Sequence, residues 1–293
     1  MTFTVDDINT VYMMLRKKNR GNEKFFSNVQ LGSCNEENII DFKYNDNAMI
    51  ALIKENYITK GYLCYSDVDA INDLIEVIDS PFFVFWNTKE KKENVLEGVN
   101  IKLYTIYQRD TVRYDENPYL KPDTTSRRDI LRKMYVPNFG EYASEEDAEE
   151  LNRLSLMLFD EYSDELPSVD EWRDICRRKE CLIYREDNPE ENNPIVAYYV
   201  WRLEGKKLYS RMSANRSAAN ILYNLERRIF TDYFDMGIRV FYGWSDVYNT
   251  QAHGRRSSSG LNKGPKSVTH LFCKIFTNTD IVKTKNQRGK KCI

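Results

Sequence analysis

The same order of predicted elements occurs twice in this sequence, and the repetition constrains the fold more than any single motif does. In the first half, a hairpin at 49–65 precedes a helix at 67–79 and strands at 82–86 and 99–107. Alternating and helical spacing of apolar residues predicts the same order in the second half. Its elements are strands at 195–203 and 208–212, a helix at 217–233, and strands at 239–244 and 268–276. We therefore predict a duplicated fold with a degenerate first copy, and two unrelated α/β domains are the alternative.

A polar segment with two prolines, residues 115–128, separates the two patterned halves and predicts a linker. We expect a degenerate domain at 1–114 and a second domain at 129–280, with a strand at 130–136 opening the latter. The fold class is α/β (α+β), each domain being a mixed, mainly antiparallel sheet flanked by helices. The basic tail at 281–293 is expected to be disordered.

Two capping boxes mark helix starts in the second half. Ser144 and Asp147 precede apolar residues that follow helical spacing over 148–162. Ser168 and Glu171 repeat the device before a second apolar stripe. The sequence therefore predicts two consecutive helices ahead of the strands.

Composition narrows the classes of function. A formal net charge of −2 gives no global field for nucleic acid or a membrane surface. No apolar run is long enough to span a membrane and no signal peptide is present, so we expect a cytoplasmic protein without a membrane partner. The chain has six cysteines without a C-x-x-C pair and only two histidines, so no metal site is predicted. Nothing in the sequence indicates the oligomeric state.

Small residues join a strand to a helix within 208–229, LYSRMSANRSAANILYNLERRI. Backbone N–H groups at a helix N-terminus bind anions if no bulky side chain blocks the approach. Ala214, Ser217, Ala218 and Ala219 leave such room, and Arg216 adds a positive charge. We expect strands 208–212 and 239–244 to splay here and hold a diphosphate. A helix start packed closely on a sheet, with Arg216 solvated, is the alternative.

This junction and a second stretch resemble motifs of the GNAT superfamily of acyl-CoA-dependent N-acyltransferases, and the resemblance covers about 130–293. The family's loop, Gln/Arg-x-x-Gly-x-Gly/Ala, binds the pyrophosphate of coenzyme A. Ala218 matches its last position, whereas Ser213 and Arg216 replace the Gln/Arg and the middle Gly.

The second stretch, SDVYNTQAHGRRSSSGL, is similar to the family's closing pattern Asn-x-x-Ala-x-x-x-Tyr-x-x-x-Gly-Phe. Asn249, Ala252 and Gly260 are in register, and Leu261 stands where Phe is usual. Arg256 stands where the family often has a Tyr general acid, and an arginine does not readily give up a proton. It could instead hold a phosphate of the cofactor.

The resemblance implies two GNAT-like domains and, as co-substrate, acetyl-CoA or another acyl-CoA. It also implies a small-molecule or peptide amine as acceptor, with the second copy active and the first structural. A backbone N–H near 212–214 would polarise the thioester carbonyl. The residues expected at the cofactor are Met212, Ser213, Ala214, Arg216, Ser217, Ala218, Ala219, Asn249, Ala252 and Arg256.

The candidates for acid or base chemistry are Tyr209, Asp246 and His253, with Glu204 a weaker one at a hairpin turn. Each has a structural alternative: Tyr209 in the core, Asp246 as a turn residue, and His253 facing solvent. Two other functions stay open. One is a catalytically silent copy that binds a ligand or partner, and the other is transfer from aminoacyl-tRNA, as in the Fem peptidyl transferases. The near-neutral charge argues against a tRNA partner.

Overall fold

The chain divides into two compact units. The computed structural model describes residues 3–22, 24–31, 34–88, 96–117, 139–188, 190, 192–216, 219–249 and 269–277, with residues 88, 219–220 and 269–277 described by their backbone alone. The first unit comprises Met1–Tyr107, Glu161–Glu165 and Leu271–Ile293, and the second comprises Gln108–Asp160 and Leu166–His270.

Helices and strands are numbered in chain order. The helices are α1 (Val5–Lys18), α2 (Val68–Glu76), α3 (Ala148–Leu158), α4 (Val169–Arg177) and α5 (Ala219–Asp235). The strands are β1 (Phe26–Ser27), β2 (Ile39–Tyr44), β3 (Ala48–Glu55), β4 (Ile58–Tyr65), β5 (Phe83–Thr88), β6 (Lys102–Arg113), β7 (Glu141–Tyr142), β8 (Cys181–Arg185), β9 (Ile195–Glu204), β10 (Lys207–Asn215), β11 (Val240–Asp246) and β12 (Thr269–Thr277).

In the first unit, β2, β3 and β4 are antiparallel neighbours, α2 follows, and β5 runs parallel to β4. Alternate residues of β3 enter two separate cores, because successive side chains of a strand point to opposite faces. Ile50 and Leu52 pack in the core that contains α2, while Met49 and Ala51 pack in the core that contains α1. The strand is therefore buried on both faces, as its continuous apolar run requires.

In the second unit, β8, β9 and β10 are antiparallel neighbours, α5 follows, and β11 runs parallel to β10. The end of β6 lies beside β11, where the Tyr114 N–H donates to the Arg239 carbonyl over 2.9 Å. One face of this sheet packs on α5, in a core with the fully buried Leu225. On the other face, Trp172 of α4 meets Tyr198 of β9 edge to face, with ring centroids 5.5 Å apart.

The predicted repetition is confirmed for the order of elements: each unit has three antiparallel strands, a helix and a parallel strand. The final strands differ from the prediction. The strand expected to close the second half is β12, and it pairs antiparallel with β5 in the first unit. Conversely, residues 108–113 of β6 belong to the second unit. The spacing of apolar residues identifies a strand but does not specify its neighbour, which explains the error.

Both predicted capping boxes are present, at Ser144 and at Ser168. The helix predicted over 148–162 ends at Leu158, because Phe159 has an extended backbone (φ −118°, ψ 165°). Tyr162 instead stacks on Phe83 in the first unit, with ring centroids 5.2 Å apart.

Other boundaries also differ. β10 continues to Asn215 instead of ending at Met212. The structure also contains α1 and β2, which were not predicted. The strand predicted at 130–136, most of the linker and the tail lie outside the described residues. The domain limits at 1–114 and 129–280 stay a prediction.

Candidate functional site

Two parallel strands of the second unit separate along their length and leave a gap. The pairing of β10 with β11 ends at Ser210 and Gly243. Both strands continue beyond this point, β10 to Asn215 and β11 to Asp246. Among the described residues, no strand pairs with the later part of β10 on the edge that faces the gap.

Backbone groups of β10 are directed into this gap at alternate residues. The Arg216 N–H donates to the Val196 carbonyl on β9 over 2.9 Å. Because successive residues of a strand direct their N–H groups to opposite edges, those of Asn215 and Ser213 are directed toward the gap. A β-bulge at Arg211 interrupts the pairing with β9 just before this stretch. An extended ligand with amide groups can pair with such an edge in the way that an added strand does.

The side chains of two predicted cofactor contacts belong to the core instead. Met212 and Ala214 are 7% and 5% exposed. The Tyr198 hydroxyl donates to the Met212 Sδ over 3.3 Å, which ties this side chain to the face covered by α4. By the same alternation, the N–H groups of these two residues are directed toward β9, so neither their side chains nor their N–H groups face the gap.

The start of α5 has the charge that an anion requires. Its first turn contains no acidic residue. The N-terminal end of a helix carries partial positive charge, and the exposed Arg216 lies just before it in the chain. A diphosphate group thus fits this position in charge. Ala219 begins the helix, while Ser217 and Ala218 lie outside the described residues.

The candidates for acid or base chemistry have structural contacts. Tyr209 stacks on Tyr242, with ring centroids 4.8 Å apart and planes inclined by 8°. Asp246 is buried, and its carboxylate accepts the Tyr248 N–H over 2.8 Å. The Asn249 N–H donates to the Asp246 carbonyl over 3.0 Å, so Asp246 shapes the turn after β11. The remaining predicted residues, Ala252, His253 and Arg256, lie outside the described residues.

Sequence reasoning missed an arginine beside aromatic rings at the closed end of the gap. The Arg109 Cζ lies 4.3 Å from the ring centroid of Tyr242 and 6.0 Å from that of Trp244. The Tyr242 hydroxyl donates to Glu204. Burial, followed by this bond, raises the pKa of the Tyr242 hydroxyl above its usual range. No local signal in the sequence placed Arg109 of β6 beside Tyr242 and Trp244 of β11.

The corresponding place in the first unit is filled by the chain itself. β4 pairs with β5 at Lys60 and Phe83, and β3 pairs along the whole of the other edge of β4. β1 lies antiparallel to β4 as well, with Phe26 opposite Tyr65, so it occupies the edge that faces β5. We call residues 26–28, which fill this edge, the strap.

Asn28 of the strap completes the hydrogen bonding of β4. Its N–H donates to the Leu63 carbonyl over 3.1 Å, and its Oδ1 accepts the Leu63 N–H over 2.5 Å. The ring of Phe82 covers Gly61 so closely that an added Cβ would lie 2.6 Å from it. The start of α2 is capped by the Asp67 carboxylate, which accepts the Asp69 N–H over 2.9 Å.

Among the residues that the structure describes, no three His, Cys, Asp or Glu side chains are grouped so that they could hold a metal ion. Within that part of the chain, no helix is both long and apolar enough to cross a membrane.

Solved structures align with this chain, although no protein-family model and no curated protein matches the sequence. A GCN5-related N-acetyltransferase from Sphaerobacter thermophilus aligns with 79% of this chain and 76% of its own, at 13% identity and a TM-score of 0.50. A protein from Novosphingobium aromaticivorans described as a GNAT-family acetyltransferase aligns with 82% of this chain and 91% of its own, at 11% identity and a TM-score of 0.46. The first of these alignments confirms the expected fold: this chain has the fold of the GCN5-related N-acetyltransferases.

Proposed function

We propose that this protein is an N-acyltransferase that moves an acetyl or other acyl group from acyl-CoA to a primary amine. The acceptor would be a small molecule or a peptide. The observation that carries the proposal is the separation of β10 from β11 beyond Ser210 and Gly243, beside a helix start without acidic residues. The amide-containing arm of an acyl-CoA needs an unpaired strand edge, and its diphosphate needs a helix start without acidic residues.

The residues would share the work as follows. The edge of β10 beyond Ser210 would hold the arm of the co-substrate through backbone groups, and an N–H of this stretch would polarise the thioester carbonyl. The start of α5, with Arg216, would bind the diphosphate. The thioester supplies the acyl group, and holding the amine beside it provides much of the rate enhancement.

The proposal assigns one acyl-CoA site to each chain, in the second unit. In the first unit, the strap occupies the edge of β4 that a ligand arm would need. The Asp67 carboxylate occupies the start of α2, where it would repel a phosphate. The first unit is therefore structural under this proposal.

Binding without chemistry is the second candidate function. Its support is that the described candidates for proton transfer already have structural contacts: Asp246 in a turn, Tyr209 in a ring stack and Glu204 accepting from the Tyr242 hydroxyl.

The test is a melting-temperature measurement with acetyl-CoA and with CoA. A ligand present at 100 times its Kd stabilises the native state by about 2.7 kcal/mol, which is a readily measured shift. Arg216→Glu places a carboxylate at the diphosphate and should weaken binding by at least roughly tenfold. Arg153→Glu, the same charge change at an exposed residue of α3, is the matched control and should keep the shift.

The outcomes separate the two functions. Absence of a shift with either ligand in the unaltered protein rejects acyl-CoA binding. A shift together with release of free CoA thiol on adding amines supports the transferase. A shift without release from any amine supports the silent binder.

A further inference from the structure

The proposed transferase still lacks an acceptor, and the residues at the closed end of the gap carry an inference about it. Resting on the proposed function, we propose that Arg109 binds a carboxylate of the acceptor. The acceptor would then be an amine that also bears a carboxylate, namely an amino acid or a short peptide with a free C-terminus.

The position of Arg109 is the first argument. Tyr209 and Tyr242 precede the last paired residues of β10 and β11 by one position, so their stacked rings adjoin the point where the gap opens. The Arg109 guanidinium lies 4.3 Å from the Tyr242 ring centroid and 6.0 Å from that of Trp244. An acyl group carried to this end of the gap would meet its acceptor beside the arginine.

The orientation of the guanidinium is the second argument. All its N–H donors lie in its plane, and a carboxylate approaches them edge-on as a bidentate partner. The rings of Tyr242 and Trp244 are apolar supports that leave these donors unused. Within the described residues, the buried Nε of Arg109 has no hydrogen-bond acceptor. A buried donor without a partner is destabilising, and a ligand carboxylate would remove that penalty.

A second stacked arginine shows the contrast. Arg239 lies over the Phe234 ring at 3.7 Å, and its Nη1 donates to the Phe234 and Ile238 carbonyls over 2.5 and 3.2 Å. These hydrogen bonds fix the end of α5 and account for the position of Arg239. Arg109 has the same kind of ring contact but no such acceptor for its Nε.

Distance along the strand separates Arg109 from the proposed diphosphate position. From Ser210 to Arg216, β10 advances by about 20 Å at the usual rise per residue. A positive group at the closed end cannot therefore serve the diphosphate bound at the start of α5. Because an acetyl group carries no charge, an anion that Arg109 binds during acetyl transfer belongs to the other reactant.

The experiment compares amino acids with the amines formed by removing their carboxylates. Suitable pairs are L-phenylalanine with phenethylamine, L-tyrosine with tyramine, and L-leucine with 3-methylbutylamine. Release of CoA thiol from acetyl-CoA is measured for each, and rates are referred to the concentration of free amine. We expect kcat/KM to be higher for the carboxylate-bearing member by roughly 10- to 100-fold, the usual effect of a hydrogen bond to a charged group.

Arg109→Gln should remove this preference, and Arg109→Lys should keep part of it, because an ammonium retains the charge but not the fork of donors. Arg239→Gln is the matched control and should keep the preference. The melting-temperature shift with acetyl-CoA should be unchanged in both Arg109 variants, which shows that they fold and bind the co-substrate.

Three results would overturn the inference: equal rates for the two members of each pair, a preference for the plain amines, or a preference that survives Arg109→Gln. If no acceptor reacts, a melting-temperature shift with the amino acids in the presence of CoA replaces the rate, and its absence also overturns the inference. Loss of the acetyl-CoA shift in the unaltered protein would instead reject the proposed function, so the two failures are distinguishable.

Discussion

The two units have the same order of strands and helix, yet they differ in what lies between their parallel strands. In the first unit the strap fills the edge of β4, with Asn28 binding both backbone groups of Leu63. In the second unit, β10 continues past Ser210 without β11 beside it. The comparison teaches that topology separates the parallel strands, whereas a few residues from elsewhere in the chain decide whether the exposed strand edge is covered.

The two units also differ in the partners of one cationic side chain. In the first unit, Lys60 is paired with Glu55 and Glu165 at 2.7 and 2.5 Å. Burial lowers the pKa of Lys60, but the two carboxylates outweigh it and leave the pKa raised. In the second unit, Arg109 lies on aromatic rings instead of carboxylates. The first unit pairs Lys60 with its own carboxylates, whereas under the proposal above Arg109 would take its carboxylate from a ligand.

The largest effect on stability is expected at Gly61 of β4, which packs closely against the ring of Phe82. Gly61→Val would drive its side chain into the buried Phe82 ring, where even a single Cβ lies 2.6 Å away. We expect the free energy of unfolding in urea to fall by about 3 kcal/mol. Gly61→Ala should lose less, because one carbon meets the ring instead of three. Two acetyl-CoA molecules per chain in native mass spectrometry of either variant would contradict the structural role of the first unit.

An intermediate effect is expected in the strap. Asn28→Ala removes the acceptor of the Leu63 N–H, and leaving a partly buried donor unsatisfied should lower the free energy of unfolding by about 1.5 kcal/mol. Asn35→Ala, at an exposed residue whose side chain makes no capping bond, is the control. The acetyl-CoA shift should stay unchanged in both. Equal urea midpoints for the two variants would show that the strap does not depend on this bond.

The smallest effect is expected at the start of α2. Asp67→Ala removes the N-cap and should lower the free energy of unfolding by about 1 kcal/mol. Asp67→Ser keeps a capping oxygen without the charge and should retain most of the stability. Because the strap still covers the edge of β4, neither change should add acyl-CoA binding in isothermal titration. A gain of binding in Asp67→Ser would mean that charge alone closes this site.

Local signals predicted much of the fold. The capping boxes at Ser144 and Ser168 and the hairpin of β3 and β4 are specified by residues a few positions apart, and all are present. The helix α1 had the same kind of signal, because Thr4 and Asp7 form a capping box before a buried stripe. It could have been predicted from the sequence.

Long-range features of the site could not be predicted in this way. Arg109 meets Tyr242 only through the pairing of distant strands, and the strap meets β4 across more than thirty residues, as in the Asn28 to Leu63 bond. Apolar spacing identifies a strand without naming its partner. The extension of β10 to Asn215 was missed for a related reason: small polar residues suggested a loop, but pairing with β9 keeps them extended.

The exchange of final strands has a consequence for how the chain is made. β5 pairs with β12, which is synthesised long after the rest of the first unit. The edge of β5 that pairs with β12 therefore stays unpaired during most of synthesis. Cutting the chain between its halves would leave each fragment short of strand residues that the other carries. The two fragments would regain their sheets only by complementation, after they had found one another.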